Sequence, residues 1–364
     1  MKHDFDGESL FRVQSLIYRD ADFDIQLSLQ AYQLKIVVHH YFTNLIILGV
    51  IERGLIMTSS TNVKALIEKN INKKGKHNDK IIPVILAAIS AISILTTLGI
   101  LITLLLETIT FFTRIPITEF LFSTTWNPTG SDPKFGIWAL IIGTLKITVI
   151  ATIFAVPVGL GAAIYLSEYA SDRARRIIKP ILEILAGIPT IVFGFFALTF
   201  VTPVLRSFIS GLGEFNAISP GLVVGIMIVP LITSLSEDAM ASVPNKIREG
   251  AYGLGATKLE VATKVVLPAA TSGIVASIVL AISRAIGETM IVSLAAGSSP
   301  TASLSLTSSI QTMTGYIVEI ATGDATFGSN IYYSIYAVGF TLFIFTLIMN
   351  LLSQWISKRF REEY

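Results

Sequence analysis

The sequence predicts an all-α membrane protein built on six transmembrane helices, and three observations carry that prediction. First, 52% of the 364 residues are hydrophobic and 14% are charged, against about 25% charged in a typical soluble domain. With a mean hydropathy of +0.69, the chain has more apolar surface than a water-soluble core can hide. Second, six stretches reach or approach the roughly 20 apolar residues needed to cross a hydrocarbon core about 30 Å thick. Third, the basic residues gather in alternate connecting segments, as they do when a chain threads a bilayer.

The six stretches are Ile81–Leu106, Ile137–Leu166, Ile181–Leu205, Ser219–Leu235, Ala269–Ala296 and Ile331–Ile356. In lipid, backbone polar groups must pair within their own segment or in a closed barrel, so continuous apolar runs of this length are helices. Ser219–Leu235 is short for a span, which suits a helix surrounded by its neighbours. Pro157, Pro189 and Pro230 interrupt apolar runs and each removes a helical hydrogen bond, leaving either kinks that let helices rock or static bends. Trp138 and Trp355 suit the membrane–water interface.

Orientation follows from Lys64, Lys69, Lys73, Lys74, Lys76 and Lys80, then Arg173, Arg175, Arg176 and Lys179, then Lys246, Arg248, Lys258 and Lys264, then Lys358, Arg359 and Arg361. The alternate segments hold only Arg114, Lys134 and Arg206. Basic residues mark the cytoplasmic side, so both termini of a six-span unit are expected there. The stretch SSPTASLSLTSSIQTMTGYIVEIATGDATFGSN before the last span is long enough to hold a short helix on the other side.

Residues 81–364 thus form the membrane domain, preceded by a basic segment over 57–80 and an N-terminal extension over 1–56. That extension ends in LKIVVHHYFTNLIILGVI, a marginal seventh span because two histidines and an asparagine interrupt it. Its Glu52-Arg53-Gly54 codons can spell a purine-rich AGAGG a few bases before the Met57 ATG. Met57 is accordingly expected to start translation, with 1–56 untranslated; peptides from that region in the purified protein would overturn this.

Several classes drop out. The net charge of +2 gives no footprint for a nucleic-acid partner. The chain has no cysteine, which removes disulfides, thiolate metal sites and a cysteine nucleophile. His3, His39, His40 and His77 all precede the first clear span, so neither a histidine metal site nor a catalytic set is expected in the membrane. No Gly-x-x-x-x-Gly-Lys-Ser/Thr phosphate loop is present, so the chain is not itself an ATPase. GLGAAIY and GLGATKL are glycine pairs that suit close helix packing or a turn.

The most informative stretch is EGAYGLGATKLEVATKVVLPAATSG, residues 249–273. It reads as a short helix, a break at Gly255, a second amphipathic run and Pro268 opening the fifth span, which makes a rigid elbow outside the membrane. An ordinary amphipathic loop has the same composition. Glu249, Gly250, Ala251, Gly255, Val265, Leu267 and Pro268 follow, at the right spacing, the EAA-x3-G-x9-I-x-L-P loop of ABC importer permeases, with Gly250 and Val265 as conservative departures. This resemblance implies the type I (MetI-like) permease fold and a coupling loop at 244–268. It makes the helix near 244–258 the part that docks on an ATP-hydrolysing subunit.

Span five also carries Arg284 and Glu288. A charge at the bilayer centre costs at least about 2.5–3.5 kcal/mol on insertion scales, so it faces a cavity or a partner. At i and i+4 the two are expected on one helical face, where they can pair and simply fix packing. Alternatively, the arginine fork suits capture of a tetrahedral oxyanion, with Glu288 moderating the hold so that the anion can leave. Lys146, in span two, either snorkels to the outer interface or faces the same cavity.

Arg284-Ala285-Ile286-Gly287-Glu288 matches the Arg-Ala-x-Gly-Glu signature of oxyanion permeases. The following Thr289-Met290 and the segment GIPTIVFGFFAL (187–198) are similar to the phosphate permease (PstC) family. The resemblance implies a phosphate-translocating subunit with no catalytic residue, metal or cofactor of its own. It implies a second, PstA-like permease chain, two PstB-like ATP-binding subunits that use the ATP, and a PstS-like extracytoplasmic binding protein. Sulfate, molybdate or tungstate importers share the signature, and an ion-driven carrier or channel without an ATPase shares the composition.

Overall fold

The structure is a computed structural model that describes residues 78–323 and 325–359. Expectations for residues 1–56, for a start at Met57 and for nearly all of the 57–80 segment lie outside the described residues. The chain divides into two units, 1–91 and 92–364. Of the first, only the opening of the first helix is described.

Helix α1 (Asn78–Arg114) is followed by α2 (Ile117–Phe122) and a two-stranded antiparallel ribbon, β1 (Trp126–Asn127) with β2 (Lys134–Phe135), in which Trp126 pairs with Phe135. Next come α3 (Trp138–Ile164), extended by a π-helical turn over Tyr165–Tyr169, and the amphipathic α4 (Asp172–Gly187), capped by Ser171. The third span is α5 (Thr190–Phe196), a π-helical turn (Ala197–Val201) and α6 (Thr202–Phe208). The fourth is α7 (Ile218–Ala241).

The loop beyond α7 holds α8 (Asn245–Gly253), α9 (Lys258–Glu260), a π-helical stretch (Val261–Val266) and α10 (Leu267–Ala269). The chain closes with α11 (Thr271–Ile286), α12 (Met290–Ala295), α13 (Met313–Thr322) and α14 (Asn330–Arg359). Among the described residues five helices are long and apolar enough to cross a membrane. A sixth appears when Lys258–Ala269 and Thr271–Ile286, bent by 71°, are taken as one span.

Three span boundaries differ from expectation, each for a local reason. Ile181–Leu205 is not one helix: the chain turns extended at Ile188 and Pro189, so α4 is separate and the span begins at Thr190. Pro189, which lacks an N–H, costs nothing ahead of a first turn whose donors have no helical acceptor anyway. The fourth span is not short, because α7 continues past Leu235 to Ala241 and carries Glu237 within it. The fifth is not continuous, since α11 stops at Ile286 and α12 starts at Met290. Pro157 and Pro230, by contrast, lie inside unbroken helices. The expected helix before the last span is α13.

Helices α3 and α7 pack closely through small residues, the usual route to intimate contact where the hydrophobic effect between helices is weak. A Cβ on Gly159 would lie 2.9 Å from the Ile232 side chain, and Thr233 Oγ1 donates across to the Gly159 carbonyl at 3.2 Å. The Ser236 and Ser277 hydroxyls join α7 to α11 at 2.8 Å.

Two clusters close the ends of the bundle. Phe111, Phe120, Trp126, Phe135 and Tyr316 interlock edge-to-face at one end. Ala163, Met240, Val243, Val261, Val266, Ala270 and Ile274 fill the other. The loop between α7 and α11 is therefore anchored to the bundle by its own apolar residues.

Candidate functional site

The site comprises a cavity between helices and an elbow beneath it. Lys179, Leu182, Glu183 and Ala186 of α4, Met227, Pro230, Leu231, Ser234 and Glu237 of α7, and Arg284 of α11 line a cavity of about 460 Å³. Arg284 lies near the end of α11, accessible on the cavity wall, with Nη2 4.0 Å from Met227 Sδ. Among the described residues no carboxylate pairs with it. At the other end of the same wall, Lys179 Nζ lies 2.9 Å from Glu237 Oε2.

Glu288 does not meet Arg284, which corrects the expected i,i+4 pair. The helix ends between them at Gly287, and a broken helix no longer holds i and i+4 on one face. The buried Glu288 carboxylate turns away and accepts from the backbone N–H groups of Met290 (3.1 Å) and Ile291 (3.3 Å), capping α12. Its backbone carbonyl accepts from the Thr314 hydroxyl at 2.7 Å. A carboxylate on unpaired helix N–H groups is favourably placed electrostatically, so Glu288 holds the break in shape.

Lys146 is not on the cavity wall. Its side chain is buried, and Nζ donates to the backbone carbonyls of Ser303 and Ser305, the latter at 2.9 Å. It fastens the serine-rich segment before α13 to α3. The chemistry that sequence reasoning assigns to an anion is taken up there by carbonyl oxygens.

The elbow follows its sequence pattern closely, with two corrections. The helix covers Asn245–Gly253, shorter than 244–258, and the chain then turns at Gly255, whose φ of +85° is open to glycine and costly to other residues. The GLGATKL pair is thus a turn, as GLGAAIY is a packing contact. Thr257 and Glu260 then form a reciprocal capping box that restarts the helix. Pro268 does not open the span: it sits inside α10, and the bend comes at Ala270.

On α8, Ile247 and Ala251 pack into the end cluster, as does Leu267 beyond the elbow. Glu249, Gly250 and Tyr252 face outward, Leu254 is 91% exposed and Leu259 is 62% exposed. An apolar tip left in water on a rigid support is a mark of an interaction surface.

The root of α8 is fixed by charge. Arg248 donates through Nη1 to the Val243 carbonyl, through Nη2 to the Met240 carbonyl at 2.7 Å, and pairs with Glu168 at 3.1 Å. Both members are largely buried, at 14% and 5% side-chain exposure. Ser167 donates to the same Glu168 oxygen at 2.9 Å. Arg175 of α4 donates to the Leu166 and Ser167 carbonyls at 2.7 and 2.6 Å. One polar network therefore joins α8, the end of α3 and α4, the helix that carries Lys179.

Sequence reasoning counts Arg175, Lys179 and Arg248 only as markers of orientation and passes over Glu168 and Glu237. For Glu237 the available signal was a carboxylate two residues beyond an apolar run that, on length alone, had room to continue.

Comparison with known proteins bears on the family and the fold. Residues 155–362 match the family described as "Binding-protein-dependent transport system inner membrane component". Among relatives, the "Probable ABC transporter permease protein YqgH" of Bacillus subtilis is 36% identical over 241 residues, spanning 66% of this chain and 78% of the relative. The "Phosphate transport system permease protein PstC" of Mesorhizobium japonicum is 35% identical over 260 residues, again 66% and 78%. A "Probable phosphate transport system permease protein PstC" of Methanocaldococcus jannaschii is 29% identical over 280 residues, spanning 69% and 87%.

In structure, a chain of a bacterial alginate ABC transporter solved with alginate pentasaccharide-bound periplasmic protein superposes with a TM-score of 0.54 at 17% identity, covering 79% of this chain and 99% of that one. That likeness bears on the fold, a six-helix type I importer permease. With a family match over more than half its length and relatives above 30% identity, the chain belongs to the binding-protein-dependent transport system inner membrane components, as a multi-pass membrane permease of the PstC family.

Proposed function

We propose that this chain is a transmembrane permease subunit of an ATP-driven importer that moves inorganic phosphate into the cell. The observation that carries the reading is Arg284 on the wall of the inter-helical cavity, in a chain whose relatives are named for phosphate transport. A guanidinium stays charged at every physiological pH and offers paired donors that fit two oxygens of a tetrahedral oxyanion. Of the two cations on that wall, Lys179 is paired with Glu237 and Arg284 has no carboxylate partner among the described residues, so its donors remain for a ligand.

In this reading the elbow end is cytoplasmic, as are both termini, and α8 is the coupling helix. Its outward face, with Glu249, Gly250, Tyr252 and Leu254, docks on one of two separate ATP-binding subunits, which hold and hydrolyse the ATP. A second, similar permease chain completes the pathway, and an extracytoplasmic phosphate-binding protein delivers the anion from the far side. The chain is a permease rather than an enzyme and binds no cofactor or metal of its own. ATP binding closes the ATPases, α8 carries that movement into the bundle through the Arg248–Glu168 pair, and the cavity alternates between states of different phosphate affinity.

The test is ATP-dependent uptake of labelled phosphate by the reconstituted complex, with sulfate, molybdate and tungstate as competitors. Arg284→Gln is expected to abolish uptake while leaving assembly intact. Normal uptake by that variant, or stronger competition by another oxyanion than by unlabelled phosphate, would overturn the reading. Glu249→Lys and Gly255→Asp are expected to disconnect the ATPases; unchanged uptake in both would leave an ion-driven carrier.

A further inference from the structure

The cavity that Arg284 lines contains a second cation with a different environment. Lys179 and Glu237 form an ion pair across α4 and α7 at 2.9 Å, and their exposures are unequal: 46% for the lysine side chain and 6% for the carboxylate. Glu237 is therefore fixed in the wall, while the ammonium reaches it from a half-open position on a flexible four-carbon stem. Glu183, one turn beyond Lys179 on α4, also lines the cavity.

The two cationic positions are distinct. Arg284 lies against Met227, and Glu237 lies ten residues further along the same helix, about 15 Å at ~1.5 Å per residue. The two cations are thus anchored about three helical turns apart along that wall. The charge balance also differs, with an unpaired guanidinium at one position and an ammonium paired with Glu237 at the other. An anion passing along this wall goes from a strong hold to a weak one.

We propose that Lys179 is a second oxyanion station on the transport path, placed for release, with Glu237 as its built-in competitor. This rests on the phosphate reading of Arg284 given above. With the station empty, the ammonium sits on Glu237. An arriving phosphate draws it off, and the carboxylate then takes the ammonium back and displaces the anion. Transport requires binding strong enough to admit an ion and weak enough to let it go, and an internal carboxylate supplies the second condition. Lysine suits the role better than arginine, because a compact charge on a mobile stem changes partners without having to realign a planar fork.

The test uses the full complex with its ATPases and binding protein, and reads ATP-driven uptake of labelled phosphate together with phosphate retained by the complex after rapid filtration. Glu237→Gln frees the ammonium and is expected to raise retained phosphate several-fold while turnover and KM both fall. Lys179→Gln removes the station and is expected to lower turnover with no rise in retention. A rise in retention in Glu237→Gln but not in Lys179→Gln supports the station; equal losses of turnover in both variants, with retention unchanged, reduce the pair to a packing contact and overturn it.

Should either single variant fail to assemble, Lys179→Met with Glu237→Met leaves no buried charge unpaired and carries the test. Wild-type turnover in that double variant overturns the proposal, and turnover reduced at least three-fold supports it. Arg284→Gln separates the two readings. If it abolishes uptake while the Lys179 and Glu237 variants behave alike, only the second station fails. If wild type moves no phosphate, the underlying reading fails first.

Discussion

Two cations lie along the helical bundle, and they have opposite fates. Lys146 of α3 is buried, and its ammonium donates to the carbonyls of Ser303 and Ser305. Arg284 of α11 is accessible on a cavity wall, with Nη2 4.0 Å from the Met227 thioether. Both interrupt apolar runs of the sequence. What separates them is whether their donors are already satisfied within the chain, because a saturated cation is structural and an unsaturated one has capacity for a ligand.

The largest test of that contrast pairs the two cations directly. Arg284→Gln is expected to lower phosphate uptake at least a hundred-fold with an unchanged melting temperature. Lys146→Met is expected to lower stability by about 2 kcal/mol, in the range for hydrogen bonds that involve a charged group, with uptake per assembled complex within two-fold of wild type. A Lys146→Met chain that melts normally but does not transport would erase the distinction.

Arg248→Ala extends the contrast to the elbow, since it leaves Glu168 buried without its cation. Breaking one side of a buried pair costs about 3–5 kcal/mol, measurable by chemical denaturation. In complexes that still assemble, ATP hydrolysis is expected to continue with little phosphate moved per ATP. Tight coupling in this variant would confine the pair to stability.

Glu288→Ala gives the smallest effect. Loss of a capping carboxylate costs about 1 kcal/mol, and the effect should be matched by Thr314→Val, which removes the hydroxyl donating to the Glu288 carbonyl. If Glu288→Ala instead matched Arg284→Gln in its effect on uptake, Glu288 would belong with the cavity and not with the helix break.

How much of this was legible in the sequence depends on the range of the interactions. The membrane class and the elbow were legible, because hydropathy, Gly255 and the spacing to Pro268 are local properties that the backbone answers directly. Lys146 was not, since its carbonyl partners lie 157 and 159 residues away in the chain. The Arg284–Glu288 pair was misread because helical spacing assumes an unbroken helix, and the break at Gly287 lies between the two residues. Glu237 was missed when the fourth span was ended at the last strongly apolar residue. The physical helix runs on to Ala241, and the cost of a carboxylate inside it is offset by Lys179 from a neighbouring element.

The rooting of α8 has a consequence for assembly. Arg248 fixes one side of the short helix to two carbonyls and a carboxylate, and Gly255 with the Thr257–Glu260 box fixes its far end. The helix therefore holds a fixed shape within this chain alone. Ordering a free segment on binding loses conformational entropy that subtracts from affinity, and here that loss is already met during folding. A nine-residue helix with one apolar tip can then hold a partner through a small contact. Loosening its root should weaken association even though no residue at the contact has changed.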